Sequence, residues 1–271
     1  MTKEFNYSVF ILLAVLLFLL LQHPLEMLIN NFSTDAVRNE LLSGAFTRLL
    51  ICGGLLLFMH KKGFFTFNGL APVFTMRNIW LLVIPVFVTA LMAFSNIETF
   101  NQTKGSMLLL FGFNAAVTGV LEEFTIRGTV LPLMLKHFSK SKHTFFKAML
   151  LSSLLFGIAH FIGLVRHPDN FSGILSQVIF AIGIGFFLAA LLFRTQNIVA
   201  PIIVHFLINF TGGVYRLKEN GNNDTSASEA ISLFDYIPVL VLSFALVFVG
   251  VYIVRKIEKE EWIKRISFIK L

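Results

Sequence analysis

The sequence has few charged residues and almost no cysteine. Only 14% of its 271 residues are Asp, Glu, Lys or Arg, and Cys52 is the single cysteine. One thiol cannot build a disulfide framework or a cysteine-ligated metal cluster. The low charged fraction is also well below that of soluble domains. We therefore exclude a disulfide-stabilised scaffold and expect no separate soluble domain.

Apolar residues are abundant instead. They make up 56% of the chain, 32 of them are phenylalanine, and the mean hydropathy is +0.80. A transmembrane helix needs about 20 mostly apolar residues. The sequence therefore predicts an all-α polytopic membrane protein, a single integral membrane domain over residues 1–271 with about eight transmembrane helices. The predicted spans are 9–30, 42–60, 78–95, 106–135, 145–163, 173–193, 197–214 and 236–254.

Lys and Arg are unevenly distributed between the segments that connect these spans. With one crossing over 106–135 and both termini inside, fifteen of the 22 basic residues lie in inner segments and five in outer ones. Cytoplasmic segments of membrane proteins carry such an excess, so we expect cytoplasmic termini. The compact chain suggests a bacterial plasma membrane. A net charge of +7 then indicates orientation and contact with anionic lipids, and no nucleic acid partner.

The predicted fourth span contains three charged residues, in the stretch VTGVLEEFTIRG. A charged side chain at the bilayer centre costs about 2.5–3.5 kcal/mol. Glu123 and Arg127 are four residues apart, so they share a helix face and can form an ion pair. Glu122 lies about 100° around the helix and has no local partner. The three charges either hold helices together or mark a functional site.

Two later spans carry polar residues at a comparable depth. SSLLFGIAHFIG contains His160, and NIVAPIIVHFLINF contains His205 and Asn209, four residues apart on one helix face. Each histidine alone is better explained by a hydrogen bond between helices. At 1.5 Å per residue, however, Glu122 and both histidines fall between the midplane and the cytoplasmic half. We expect them to surround an intramembrane cavity open toward the cytoplasmic side.

Two further polar residues lie in predicted spans. Asn114 precedes Glu122 by eight residues, so it shares that helix face and either lines the cavity or hydrogen-bonds another helix. Arg48 lies near the outer end of the second span, where we expect it to reach the interface or to pair.

Hydrolysis fits this set of groups. Glu122 can deprotonate a water held against His160, while His205 and Asn209 can donate hydrogen bonds to the oxyanion of a scissile carbonyl. The alternative is a divalent metal such as zinc, with Glu122, His160 and His205 as ligands. No HExxH motif occurs in the chain. The metal-free scheme is favoured, and the sequence does not separate the two.

Three short motifs resemble those of a known family. EEFTIR (122–127), FGIAH (156–160) and HFLIN (205–209) are similar to the EExxxR, FxxxH and HxxxN motifs of CAAX prenyl proteases. The bacterial relatives are the CPBP, or Abi, family of bacteriocin-processing and self-immunity proteins. The motifs occur in the family's order and cover roughly Leu109 to Gly213 of a motif-bearing core at about 106–214.

The resemblance implies an eight-helix intramembrane endopeptidase. Glu122 and His160 would activate water, and His205 and Asn209 would form the oxyanion hole. Glu123 and Arg127 would support them. The expected substrate is a prenylated protein, a bacteriocin or signalling-peptide precursor, or another membrane protein. The resemblance leaves the oligomeric state undetermined.

Two other functional classes stay open at this point. A non-catalytic immunity or scaffold protein would use the same cavity to bind a peptide or membrane protein. A proton-coupled transporter would use intramembrane Glu and His as a relay, but transporters usually show paired repeats, and none is evident in the sequence.

Overall fold

The computed structural model describes residues 2–70, 76–218, 233–255 and 257–271. Within these ranges the chain forms helices and loops but no strand, which confirms the all-α prediction. The α-helices are α1 (Lys3–Leu19), α2 (Gln22–Asn30), α3 (Ala36–Lys62), α4 (Phe65–Asn68), α5 (Val83–Ser95), α6 (Ile97–Gln102), α7 (Gly105–Thr125), α8 (Leu131–His137), α9 (Thr144–Ala159), α10 (Phe171–Thr195), α11 (Val199–Gly213), α12 (Ile237–Val254) and α13 (Lys259–Ser267). Tighter 3-10 segments are Ile79–Leu82, His160–Val165, Val214–Leu217 and Leu233–Tyr236, and Ile126–Val130 is a π-helical turn.

In the described part of the chain, seven helical segments are long and apolar enough to cross a membrane. They confirm a multi-pass membrane protein. The remaining predicted span, 78–95, corresponds to the shorter apolar segment Ile79–Ser95, about 26 Å long against a hydrocarbon core of about 30 Å. An eighth crossing therefore stays a prediction. The seven segments are Lys3–Asn30, Ala36–Lys62, Gly105–His137, Thr144–Val165, Phe171–Thr195, Val199–Leu217 and Ile237–Val254.

The segment with the charged motif forms one continuous helical run, as the charge distribution predicts. α7 passes into α8 through the π-helical turn that contains Gly128. Pro132 has no N–H to donate to the Gly128 carbonyl four residues earlier. The side-chain amide of Asn68 donates to that carbonyl instead, at 3.4 Å. The run thus continues past Pro132 with the carbonyl hydrogen-bonded.

Close packing of α7 against α11 positions the site. α7 also packs on α3, while α10 packs on α9 and α12. A Cβ added at Gly119 would lie 3.2 Å from the backbone nitrogen of Phe206, so glycine permits this close approach of the two backbones without crowding. Glu122 on α7 and His205 on α11 therefore lie opposite each other.

The bundle has an apolar outer surface. Phe87 on α5 and Phe244 and Phe248 on α12 are largely exposed, as expected where lipid surrounds a helix bundle. At the end of the molecule that carries most of the basic residues, α13 packs back onto the bundle. Its Trp262 is fully buried and makes edge contacts with the rings of Phe67 and Phe193. That end is therefore covered by the chain itself.

Candidate active site

The two adjacent glutamates of α7 have different environments. The Glu123 side chain is completely buried, whereas 28% of the Glu122 side chain remains exposed. Successive residues of an α-helix point about 100° apart, so the two carboxylates enter different surroundings. Glu122 is the accessible carboxylate of this pair.

The predicted ion pair between Glu123 and Arg127 forms, at 2.8 Å between Oε1 and Nη1. Both side chains are fully buried. The other guanidinium nitrogen, Nη2, donates to the carbonyl of Gly185 on α10 at 3.0 Å, and the guanidinium lies 4.8 Å from the centre of the Phe156 ring. Arg127 therefore connects α7, α9 and α10 next to the buried carboxylate of Glu123.

His205 lies between the two glutamates. Its Nδ1 is 2.7 Å from Glu123 Oε1, and its Nε2 is 3.2 Å from Glu122 Oε2. A carboxylate only accepts hydrogen bonds, and neutral imidazole carries one N–H. Both contacts can be hydrogen bonds only if the ring carries two protons or one carboxylate carries a proton. If both contacts are hydrogen bonds, His205 and the two carboxyl groups together hold two protons.

His160 follows the last residue of α9 and presents one free nitrogen. Its Nδ1 is 2.9 Å from the carbonyl oxygen of Phe156, and because a carbonyl only accepts, Nδ1 must carry the hydrogen. In the neutral ring Nε2 is then the acceptor. His160 lies within electrostatic range of Glu122 but beyond the 4.0 Å ion-pair distance. The two groups are neighbours that do not touch.

Phe156 is a central residue of the site. In the sequence it was marked only as a position of the FxxxH motif. Its ring packs edge-on against His160 at 4.7 Å and against His205 at 6.0 Å between ring centres. The same ring lies under the Arg127 guanidinium. Its position four residues before His160 was the only signal in the sequence.

Asn209 lies one turn beyond His205 on α11, so both residues occupy one face of that helix. Asn114 accepts a hydrogen bond on its Oδ1 from Arg48 Nη1 at 3.2 Å. Of the two possibilities weighed for Asn114, the helix-to-helix hydrogen bond is the one observed. Arg48 pairs with an amide across helices.

Burial differs on the two sides of Glu122. The residues from Glu123 to Leu135 are all buried, whereas Asn114 and Thr118, on the Glu122 face of α7, are partly exposed. This pattern favours an approach to Glu122 from the end of the helix that begins at Gly105. The charge distribution predicts that this end is external. A cavity open toward the cytoplasm stays a prediction, which the burial pattern does not favour.

The described residues contain no group of three His, Cys, Asp or Glu arranged to hold a metal ion. His205 already contacts a carboxylate with each nitrogen, so ligation through Nε2 would require Glu122 to move from hydrogen bonding to metal binding.

Residues 104–211 match the family model described as type II CAAX prenyl endopeptidase Rce1-like. This segment contains all three motifs and every residue of the site described above except Arg48. The match covers 108 of the 271 residues, so the similarity to this family is shown for this segment. The matched Rce1-like segment runs from the start of α7 to α11, so it includes the helices that bring the carboxylates and imidazoles together. Comparisons with curated proteins and with solved structures found no match.

Proposed function

We propose that the chain is an intramembrane endopeptidase that hydrolyses a peptide bond in a peptide or membrane-protein substrate. The match of residues 104–211 to a CAAX-type protease family supports a hydrolase of this kind. The observation that carries the mechanism is His205 held between the buried carboxylate of Glu123 and the accessible carboxylate of Glu122. This contact gives each glutamate a separate task.

Glu122 and His160 activate the water in this scheme. They lie within electrostatic range but are not in direct contact, and the scheme places one water between them. His160 Nε2 accepts a hydrogen bond from that water. Glu122 takes the water proton as the oxygen attacks the scissile carbonyl carbon.

His205 and Asn209 stabilise the resulting oxyanion. Glu123 holds His205 by Nδ1, so Nε2 is the nitrogen that can turn from Glu122 to the oxyanion as the tetrahedral intermediate forms. The Asn209 amide donates from the same helix face. When the C–N bond breaks, the leaving amine takes the proton that Glu122 received, and Glu122 returns to its starting state. Glu123 and Arg127 are positioning residues.

The test is cleavage of candidate membrane peptides by purified wild-type protein and by Glu122→Gln, His160→Ala and His205→Ala variants. Exposed Glu260→Gln and His167→Ala are matched controls. We expect the three site variants to lose activity by 100-fold or more, on the order of what a general base or an oxyanion donor contributes. Equal cleavage by wild type and all three variants contradicts the mechanism. Absence of cleavage, with biological function retained in each variant, favours the non-catalytic binding protein.

The same preparation tests the metal alternative. We expect activity to survive chelation, and elemental analysis to find no stoichiometric metal. Activity that is lost on chelation and restored by zinc assigns Glu122, His160 and His205 to a metal instead. For the cell, we propose a multi-pass location in a bacterial plasma membrane with cytoplasmic termini, supported by the excess of basic residues at one end of the bundle.

A further inference from the structure

Arg48 is a cation inside the membrane-spanning helix α3 whose hydrogen-bond partner is a neutral amide. Its Nη1 donates to Asn114 Oδ1 at 3.2 Å. Among the described residues no carboxylate lies within 4.0 Å of its guanidinium. A guanidinium in a membrane span is costly unless it is paired. An amide oxygen satisfies one of its five N–H donors and carries no charge, while the carboxylates of Glu122 and Glu40 act on the cation only from beyond 4.0 Å.

The fold directs this cation inward. Gly44 lies one helical turn before Arg48, and a Cβ added at Gly44 would overlap the guanidinium. Long side chains on a helix turn back toward the preceding turn, and the missing side chain of Gly44 provides the space. The guanidinium therefore lies along α3 and toward α7, where it meets Asn114.

A line of polar residues leads from Arg48 to the proposed catalytic water. Asn114, Thr118 and Glu122 follow at four-residue intervals on one face of α7, and all three are partly exposed. Eight residues of helix span about 12 Å. Arg48 and Glu122 are within electrostatic range. The cation thus lies on the accessible side of Glu122, away from the buried run that follows it.

The carboxylates closest to this cation are already engaged. Glu122 contacts His205 at 3.2 Å, and Glu40 contacts Arg166 at 3.6 Å. A carboxylate brought by a ligand would meet a guanidinium with unused donors, in a setting where charge-assisted hydrogen bonds are strong. An acidic group on the substrate fits this position better than an apolar or basic one.

We propose that Arg48, together with Asn114, binds a carboxylate of the peptide substrate and so determines which peptides reach Glu122. This role rests on the proposed protease function. The carboxylate belongs either to the C-terminus of the peptide or to an acidic side chain two to five residues from the scissile bond, because an extended chain covers about 3.3 Å per residue. Arg48 is then a specificity-determining residue outside the three motifs.

Three fluorescent apolar peptides of one sequence separate the two sources. The first ends in a free carboxylate, the second in a carboxamide, and the third in a carboxamide with one internal aspartate. Binding is measured to Glu122→Gln protein in detergent micelles, so that the result does not depend on turnover, and kcat/KM is measured on the active protein. Charge-assisted hydrogen bonds predict about 10- to 100-fold preference for a peptide with a carboxylate.

Arg48→Gln should reduce that preference to about one. Gly44→Ala should reduce it as well, because the added methyl group displaces the guanidinium, whereas the exposed control Arg38→Gln should retain it. A preference in Arg48→Gln equal to that of wild type overturns the proposal, and so does equal binding of all three peptides by wild type. If Arg48→Gln slows cleavage of all peptides by one common factor, Arg48 acts through Glu122 and not on the substrate. Carboxylate preference in binding without any cleavage would retain this inference and refute the protease function.

Discussion

Removal of the Arg127 side-chain charge should destabilise the protein more than any change to an exposed ion pair. Arg127→Met keeps a side chain of similar length but deletes three interactions: the ion pair with Glu123, the hydrogen bond to Gly185 and the stacking on Phe156. It leaves the Glu123 carboxyl group without its cationic partner in a site with no solvent exposure. The expected effect is therefore the cost of an uncompensated buried charge.

Breaking a buried ion pair by removing one partner costs about 3–5 kcal/mol. His205 Nδ1 still contacts Glu123 after the substitution, so we expect the lower end, about 3 kcal/mol, which is more than 100-fold in the folding equilibrium constant. The double variant Glu123→Gln with Arg127→Met removes both charges of this ion pair. That variant should recover at least half of the loss.

The measurement is equilibrium unfolding in mixed detergent micelles, followed by helical circular dichroism. Lys218→Met is the control, since it breaks the Lys218–Glu98 pair at 3.0 Å between side chains that are 47% and 69% exposed, and exposed pairs contribute little. A loss below about 1 kcal/mol in Arg127→Met would refute the reasoning. A double variant as unstable as the sum of its single changes would also refute it, because the two residues would then be energetically independent.

Other expectations concern the pH dependence of the exposed pair, the C-terminal helix and access to the site. The hydrogen bond and the charge of Lys218 lower the pKa of Glu98, so the stability difference between wild type and Lys218→Met should be present above the usual carboxyl pKa and vanish as pH falls through the lowered one. Trp262→Ala removes a fully buried indole and should cost about 3–5 kcal/mol, measured by the same unfolding. With Cys52 replaced by serine, a thiol introduced by Thr118→Cys should react with a membrane-impermeant maleimide only from the side that faces Gly105. External labelling would support access from outside, and labelling only from the cytoplasmic side would support the opening expected from sequence.

Much of the fold follows from local properties of the chain. Apolar runs of about 20 residues predict membrane helices, and seven predicted spans have matching segments in the structure. The segment 78–95 is apolar but short, so composition identified it without deciding whether it crosses. The pairing of Glu123 with Arg127 was predictable because a four-residue spacing places two side chains on one helix face whatever surrounds them.

The residues that His205 and Arg48 contact could not be predicted from the sequence. His160 and His205 were expected near Glu122, but the contact of His205 with both glutamates depends on how closely α7 approaches α11, and so on the small residue Gly119. Arg48 was expected to reach the membrane interface or to form a pair. Because Gly44 has no side chain, the Arg48 guanidinium lies over it and contacts Asn114.

The sequence by itself determined that the chain is a helical membrane protein, that its motifs resemble those of CAAX-type proteases, and which charged residues stand out against the apolar spans. These properties depend on composition and on periodicity within one helix. Only the tertiary structure decided that Glu123 is buried in contact with His205 while Glu122 stays partly exposed. It also decided that Arg48 meets Asn114 on the polar face of α7 that carries Glu122. Those outcomes depend on distances between helices, which are set by the packing of residues far apart in the chain.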